Sequence, residues 1–153
     1  ANVLLGVRIQ GLTRQASVAI RGQSSFGGPL FNSEQLNLDG PDGMSSLCPG
    51  EFAVDQGFTV RAELGNRLQT PASLPGVAEP YVFTAFGGGE VFDPGGGREL
   101  RGAELGVGVR MRFGRLGPRS TPVSLSLEYG RNWINSLENE REERANFLLG
   151  LSF

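Results

Sequence analysis

A chain of 153 residues with 24 glycines and 14 basic side chains, all of them arginine, has room for one domain but lacks the long apolar runs of a helical or α/β core. Its formal charge of −2, with no basic stripe interleaved with aromatics, excludes nucleic acid as a partner. With no histidine and one cysteine, Cys48, imidazole catalysis, Cys/His metal sites and an intrachain disulfide are excluded as well.

In chain order, residues 2–11 set Val3, Leu5, Val7 and Ile9 against Gly6, Arg8 and Gln10, the period of a strand with one apolar and one polar face. Thr13-Arg14 turns the chain into a second strand, 15–23, where Ala16, Val18 and Ile20 oppose Ser17, Ala19 and Arg21, so the two predict a hairpin. Residues 24–56 dissolve into Gly, Pro, Asn, Asp and Ser. A patternless stretch of roughly thirty residues marks a functional loop rather than a simple connection. Alternation resumes over 58–68, with Phe58, Val60, Ala62 and Leu64 against Thr59, Arg61, Glu63 and Gly65, and an aromatic-rich strand follows over 78–92. The most regular segment, within 101–114, runs from Ala103 to Phe113 with every odd position apolar and every even one Gly or charged. A strand at 122–133 sets Val123, Leu125, Leu127 and Tyr129 against Ser124, Ser126, Glu128 and Gly130. A charged stretch, 138–144, leads to the last, 145–153, whose Phe147, Leu149, Leu151 and Phe153 share a face as in the C-terminal assembly signal of outer-membrane barrels.

These segments predict an all-β, antiparallel up-and-down meander over residues 1–153, a transmembrane β-barrel or the C-terminal half of one. No run of about 18 apolar residues is present, which rules out a spanning helix but not spanning strands, half of whose residues are polar. Bacterial barrels close with an even number of strands, at least about eight. Seven predicted strands therefore mean part of a larger barrel, or one more strand hidden in the long loop, for example at 31–38. The chain begins at Ala1 without a charged-then-apolar leader and reads as a processed or partial product.

Arg8, Arg21, Arg61, Arg110 and Arg112 fall on the polar face among small residues. Planar guanidinium groups in a crowded polar lumen can pair with carboxylates such as Glu63 and Glu104. Gly87-Gly88-Gly89 and Gly95-Gly96-Gly97 lack the Lys-Ser/Thr and the helix of a phosphate loop, and read as turn or bulge glycines. No two carboxylates stand apart for acid/base work, and Cys48 has no histidine to activate it. The chain reads as a non-enzyme without cofactor or metal.

The stretch NSEQLNLDGPDGMSSLCPGEFAVDQGFTVRAEL, Asn32 to Leu64, resembles the signature region of the two-partner secretion transporters, the haemolysin secretion and activation family within the barrel-assembly-protein superfamily. Pro80-Tyr81-Val82-Phe83 and Ala103 to Arg110 resemble later strands of the same barrels. In that family a long loop carrying this signature folds back into the lumen. Gly40, Pro41 and Asp42 match it, but its Val-Arg-Gly-Tyr/Phe tetrad aligns with Met44, Ser45, Ser46 and Leu47, and the wall aspartate that holds the arginine aligns with Ala85. Losing both partners of a buried pair can be nearly neutral, whereas losing one costs about 3–5 kcal/mol. Anchoring would pass to other groups: Asp42, Glu51 or Asp55 against Arg61, Arg110 or Arg112.

The resemblance implies a barrel of about sixteen strands in the bacterial outer membrane that passes a secreted exoprotein without nucleotide hydrolysis. Its partners would be outer-membrane lipid, that cargo and the barrel-assembly machinery. Two other readings stand beside it: a non-transporting remnant or small barrel with a structural or adhesive role, and a soluble all-β binding domain.

Overall fold

The computed structural model describes residues 2–11, 13–26, 28–47, 50, 52–70, 76–93, 96–116, 121–135 and 143–151. In chain order the elements are β1 (Asn2–Gln10), β2 (Arg14–Gln23), β3 (Leu36–Asn37), β4 (Ala53–Val54), β5 (Gln56–Asn66), β6 (Leu68–Gln69), β7 (Gly76–Asp93), β8 (Gly96–Leu116), β9 (Thr121–Ile134) and β10 (Glu143–Leu151). The protein is all-β, without a helix among the described residues. The main sheet follows the order β1-β2-β5-β7-β8-β9-β10, with β6 also on β7, and every pairing is antiparallel. It is an open up-and-down meander, edged by β1 and β10, and does not close into a barrel.

The seven long strands overlap the seven predicted from alternation, although the predicted 58–68 breaks at Arg67 into β5 and β6 and the end of 145–153 lies outside the described residues. Two further differences concern the loop and the β7–β8 ladder. Residues 31–38 add no strand to the sheet: only β3 lies there, and it pairs with β4 in a small hairpin of its own. The β7–β8 ladder also continues past the apolar stretch, from Gly87↔Gly102 to Asp93↔Gly96. Main-chain hydrogen bonding needs no apolar face, so the ladder outlasts the pattern that revealed it. Gly87, Gly88 and Gly89 are regular ladder residues of β7, not turn or bulge glycines. Neighbouring strands and the loop leave no room for a side chain: a Cβ on Gly88 would lie 2.9 Å from the Leu100 carbonyl, one on Gly89 2.8 Å from Val54 Cγ2, and one on Gly102 of β8 2.9 Å from Met44 Sδ.

Pro80 occupies a central strand, where a missing N–H usually breaks the ladder. Here the β5 pairing ends at Gly65↔Tyr81 and the β6 pairing begins at Leu68↔Ala78, so Pro80 falls in the gap between them.

Register sorts the two faces. One carries rows such as Ile9–Ala16–Leu64–Val82–Val107–Tyr129 and Leu5–Ile20–Val60–Phe86–Ala103–Trp133. Apart from the half-buried Val60, the large apolar side chains of these rows are 39–69% exposed. The Thr84 hydroxyl on this face donates to the Glu104 carbonyl at 3.0 Å, which satisfies it without water. The opposite face, called inner below, carries Arg61, Glu63, Glu104, Glu128 and Asn132.

The compact apolar core lies on the inner side, between loop and sheet. Leu36, Leu38, Met44, Leu47 and Val54 of the loop region pack with Ala85, Leu100 and Ile134 of the sheet. The loop is thus a folded unit. Gly43 N donates to the Gly40 carbonyl at 3.0 Å across Pro41-Asp42, a β-turn with proline at its favoured second position. Gly40 has φ +100°, a conformation open to glycine. Met44 N then returns to the Leu38 carbonyl at 2.9 Å.

Candidate functional site

The polar side chains of the inner face converge above β7 and β8. Arg61 stands opposite Ala85, which stands opposite Glu104. The small Ala85 leaves a trough between the two charged residues. Arg61 is 2% exposed and all its arms are engaged. Its Nε donates to Glu63 Oε1 at 2.8 Å, Nη2 to Glu128 Oε1 at 3.0 Å, and Nη1 to the Gly43 carbonyl and Ser45 Oγ at 3.3 Å each. The guanidinium also lies 3.9 Å from the centre of the Phe83 ring, a stacked cation–π contact.

Arg110 repeats the arrangement one step along. It grips Glu63 with two bonds of 2.8 and 2.7 Å, the bidentate geometry that lysine cannot supply. It lies 4.0 Å from the centre of the Tyr81 ring and 3.6 Å from Glu79 Oε1. Tyr81 donates its hydroxyl to Glu128 Oε1 in a short contact. Tyr81 faces Gly108, and Glu128 faces Gly108 from the other side. A Cβ on Gly108 would sit 2.5 Å from Tyr81 Cζ, and one on Gly106 would strike the Phe83 ring. Glycine at both positions lets the two rings lie flat across β8, so that Tyr81 reaches a carboxylate two strands away.

The loop closes on this network at two places. At the lower one, Ser45 Oγ and Ser46 N donate to Glu104 Oε1 at 3.2 and 3.0 Å, while Gly43 and Ser45 accept from Arg61. The turn therefore bridges a wall arginine and a wall glutamate, with Ala85 beneath. The resemblance implies a loop arginine held by a wall acid; in this structure the wall supplies both charges and the loop contributes neutral groups. At the upper place Asp55 accepts from the Leu30 N–H at 2.7 Å, the Gln35 amide at 3.1 Å and the Phe92 N–H at 2.6 Å. Asp55 sits beyond the apolar rows, beside the outer end of the β5–β7 ladder. Burial pushes its carboxyl up, but the Phe92 and Leu30 amides and the Gln35 side chain outweigh this and hold it below its ordinary value.

Arg61, Glu63, Glu104 and Arg110 are thus brought together with Ser45 and Ser46. Met44 and Leu47 are core residues, and Gly40, Pro41 and Asp42 form the turn, its proline and aspartate exposed. Of the anchors expected for the loop, Arg61 serves. Asp42 is exposed, and Asp55 binds amides rather than an arginine. Arg112 is exposed and stands outside the network. Glu51, Cys48 and Phe153 lie outside the described residues.

The sequence reading overlooked Glu79, Tyr81, Phe83 and Glu128 as members of the site. Their shared face was already legible in the strand alternation. The close approach across Gly106 and Gly108 needs the register of three strands and was not. Among the described residues no group of three His, Cys, Asp or Glu side chains is arranged to hold a metal ion. The arrangement orders a polar wall and fastens a loop to it.

Compared with protein-family models, with curated proteins and with solved structures, the chain matches none.

Proposed function

We propose that this chain is part of the wall of a bacterial outer-membrane β-barrel that translocates a secreted polypeptide, with residues 24–55 forming a plug-like loop against the inner wall. The observation that supports this is the inverted sheet. Large apolar side chains stand exposed along one face while Arg61, Glu79, Glu104 and Glu128 are buried on the other. In water a contiguous apolar surface is an interaction face; hydrocarbon against it and a polar interior behind it satisfy both sides. The β1–β2, β5–β7 and β8–β9 connections lie at one end of the sheet, and the long loop lies at the other, where the β7–β8 ladder also runs on to Asp93↔Gly96; long excursions gathered at one end are the asymmetry of such barrels. The loop contacts and the Asn32 to Leu64 likeness support the secretion assignment.

An open edge has no place in hydrocarbon. Seven successive antiparallel strands leave β1 and β10 running in the same direction, so antiparallel closure requires an odd number of further strands. That total would be even.

The test is detergent dependence followed by transport. The protein should remain folded only in detergent or lipid and should insert into vesicles; a folded monomer in plain buffer would sink the membrane reading in favour of a soluble binding domain. Secretion of a co-encoded exoprotein, lost on deletion of the chain, supports translocation. Insertion without secretion would instead leave a structural or adhesive barrel, the reading favoured by a loop fixed through a buried apolar core.

A further inference from the structure

We propose that the open part of the inner wall binds an extended acidic polypeptide; this rests on the translocation reading and narrows the class of its cargo. The observation is an imbalance in what the inner face leaves accessible. Its four described acidic side chains are all spent inside the network: Glu63, Glu79, Glu104 and Glu128 are 11% exposed or less, and each meets an arginine or a loop group. Arg61 and Arg110 offset about half of that charge, Arg67 approaches Glu79 at 3.9 Å, and Glu104 is met by the loop. Arg8 and Arg112 are exposed and Arg21 is half-buried, and none of the three makes an ion pair among the described residues. The exposed acids Glu34 and Asp42 belong to the loop, and Glu90 and Glu99 fall on the apolar face by register.

Spacing decides between a small anion and a chain. Arg8 shares a row with Ser17, Glu63, Phe83 and Gly106, and Arg21 with Thr59, Gly87 and Gly102. Arg112 lies six residues along β8 from Gly106. At about 3.3 Å per residue along a strand and 4.8 Å between strands, Arg8 and Arg21 lie roughly 14 Å apart and Arg112 roughly 28–36 Å from them. No single small anion spans that distance, whereas an extended polypeptide of about eleven residues does. Guanidinium groups at such intervals offer carboxylates repeated, exchangeable partners rather than one deep site. The sign is not a trivial consequence of composition: the chain carries −2 overall, so undirected attraction would favour a basic polymer.

The test uses the folded chain in detergent micelles and fluorescently labelled poly-glutamate and poly-lysine, read by anisotropy at low salt. Poly-glutamate should bind about tenfold more tightly than poly-lysine, and salt should weaken it. The triple variant R8Q/R21Q/R112Q should lose that preference. The control R14Q/R101Q, at arginines assigned by register to the apolar face, should keep it. Circular dichroism and heat-shifted mobility report that each variant is folded. Equal or tighter binding of poly-lysine, or unchanged poly-glutamate binding by the triple variant, overturns the proposal. Vesicle insertion is scored on the same preparations. Poly-glutamate preference without insertion sinks the barrel reading and leaves the acidic-ligand surface standing, whereas insertion without preference does the reverse.

Discussion

The two faces of the same strands obey opposite rules. On β8, Leu105, Val107, Val109 and Met111 line one face, while Glu104, Gly106, Gly108 and Arg110 line the other, where Glu104 is all but fully buried. In a protein surrounded by water the charged face would be the wet one. Here the charged residues are covered by their own ion pairs, by Tyr81 and Phe83, and by the loop, while Leu105 and Val107 stand bare and Val109 and Met111 are half-buried. A face is therefore not classified by its residue types alone; the solvent that meets it has to be inferred from which face the protein has covered.

The sharpest way to break this contrast is to remove the charge at its centre. Arg61→Met should destabilise the fold by about 3–5 kcal/mol, because Glu63 and Glu128 lose a buried partner while staying buried. The shift of the denaturant midpoint, read from the fluorescence of Trp133, measures it; a change below about 1 kcal/mol, the size of a surface ion pair, would mean the network is wet. On the bare face, Val107→Arg should cost about 2–4 kcal/mol in lipid. If the same variant changes stability in vesicles by under about 0.5 kcal/mol, as an ordinary water-exposed position does, the face does not meet hydrocarbon. Gly108→Ala should cost about 1–3 kcal/mol by driving Tyr81 off Glu128, read by the same midpoint, with Tyr81→Phe showing how much of the loss belongs to the hydroxyl.

A smaller effect separates the two anchors of the loop. Because the folded value of Asp55 is depressed, its contribution is fully present above the unfolded carboxylate pKa of about 4 and is lost as pH falls through the folded value. Hydrogen exchange at the Leu30 and Phe92 amides, corrected for the intrinsic rate, should lose protection in acid, and Asp55→Asn should remove that dependence. Protection that instead weakens toward alkaline pH would contradict the sign.

Much of this was legible in the sequence, for a physical reason. Period-two alternation is imposed by the strand itself, so Val123 to Tyr129 and Ala103 to Phe113 revealed their strands and their faces directly. The partners of Arg61 were less accessible. Glu63 is two residues away on the same strand, but Glu128 is 67 residues on and reaches Arg61 only through register. The fastening of the loop was hardest to foresee. A search for opposite charges pointed to Asp42, Glu51 and Asp55 against wall arginines, whereas Asp55 anchors through amides, and the wall charges Arg61 and Glu104 meet a serine hydroxyl, a backbone N–H and a backbone carbonyl. Backbone groups belong to every residue and leave no mark in composition.

The central claim, that the apolar face lies in hydrocarbon and the charged face away from it, is tested most directly by spin labels on the two faces of neighbouring strands. With Cys48 replaced by serine, Val107→Cys and Leu127→Cys report the apolar face, and Ser17→Cys the inner one, in protein reconstituted into vesicles. The account predicts that labels at 107 and 127 collide with dissolved oxygen and are shielded from a water-soluble nickel chelate, while the label at 17 shows the opposite preference. Nickel access at all three positions would contradict it.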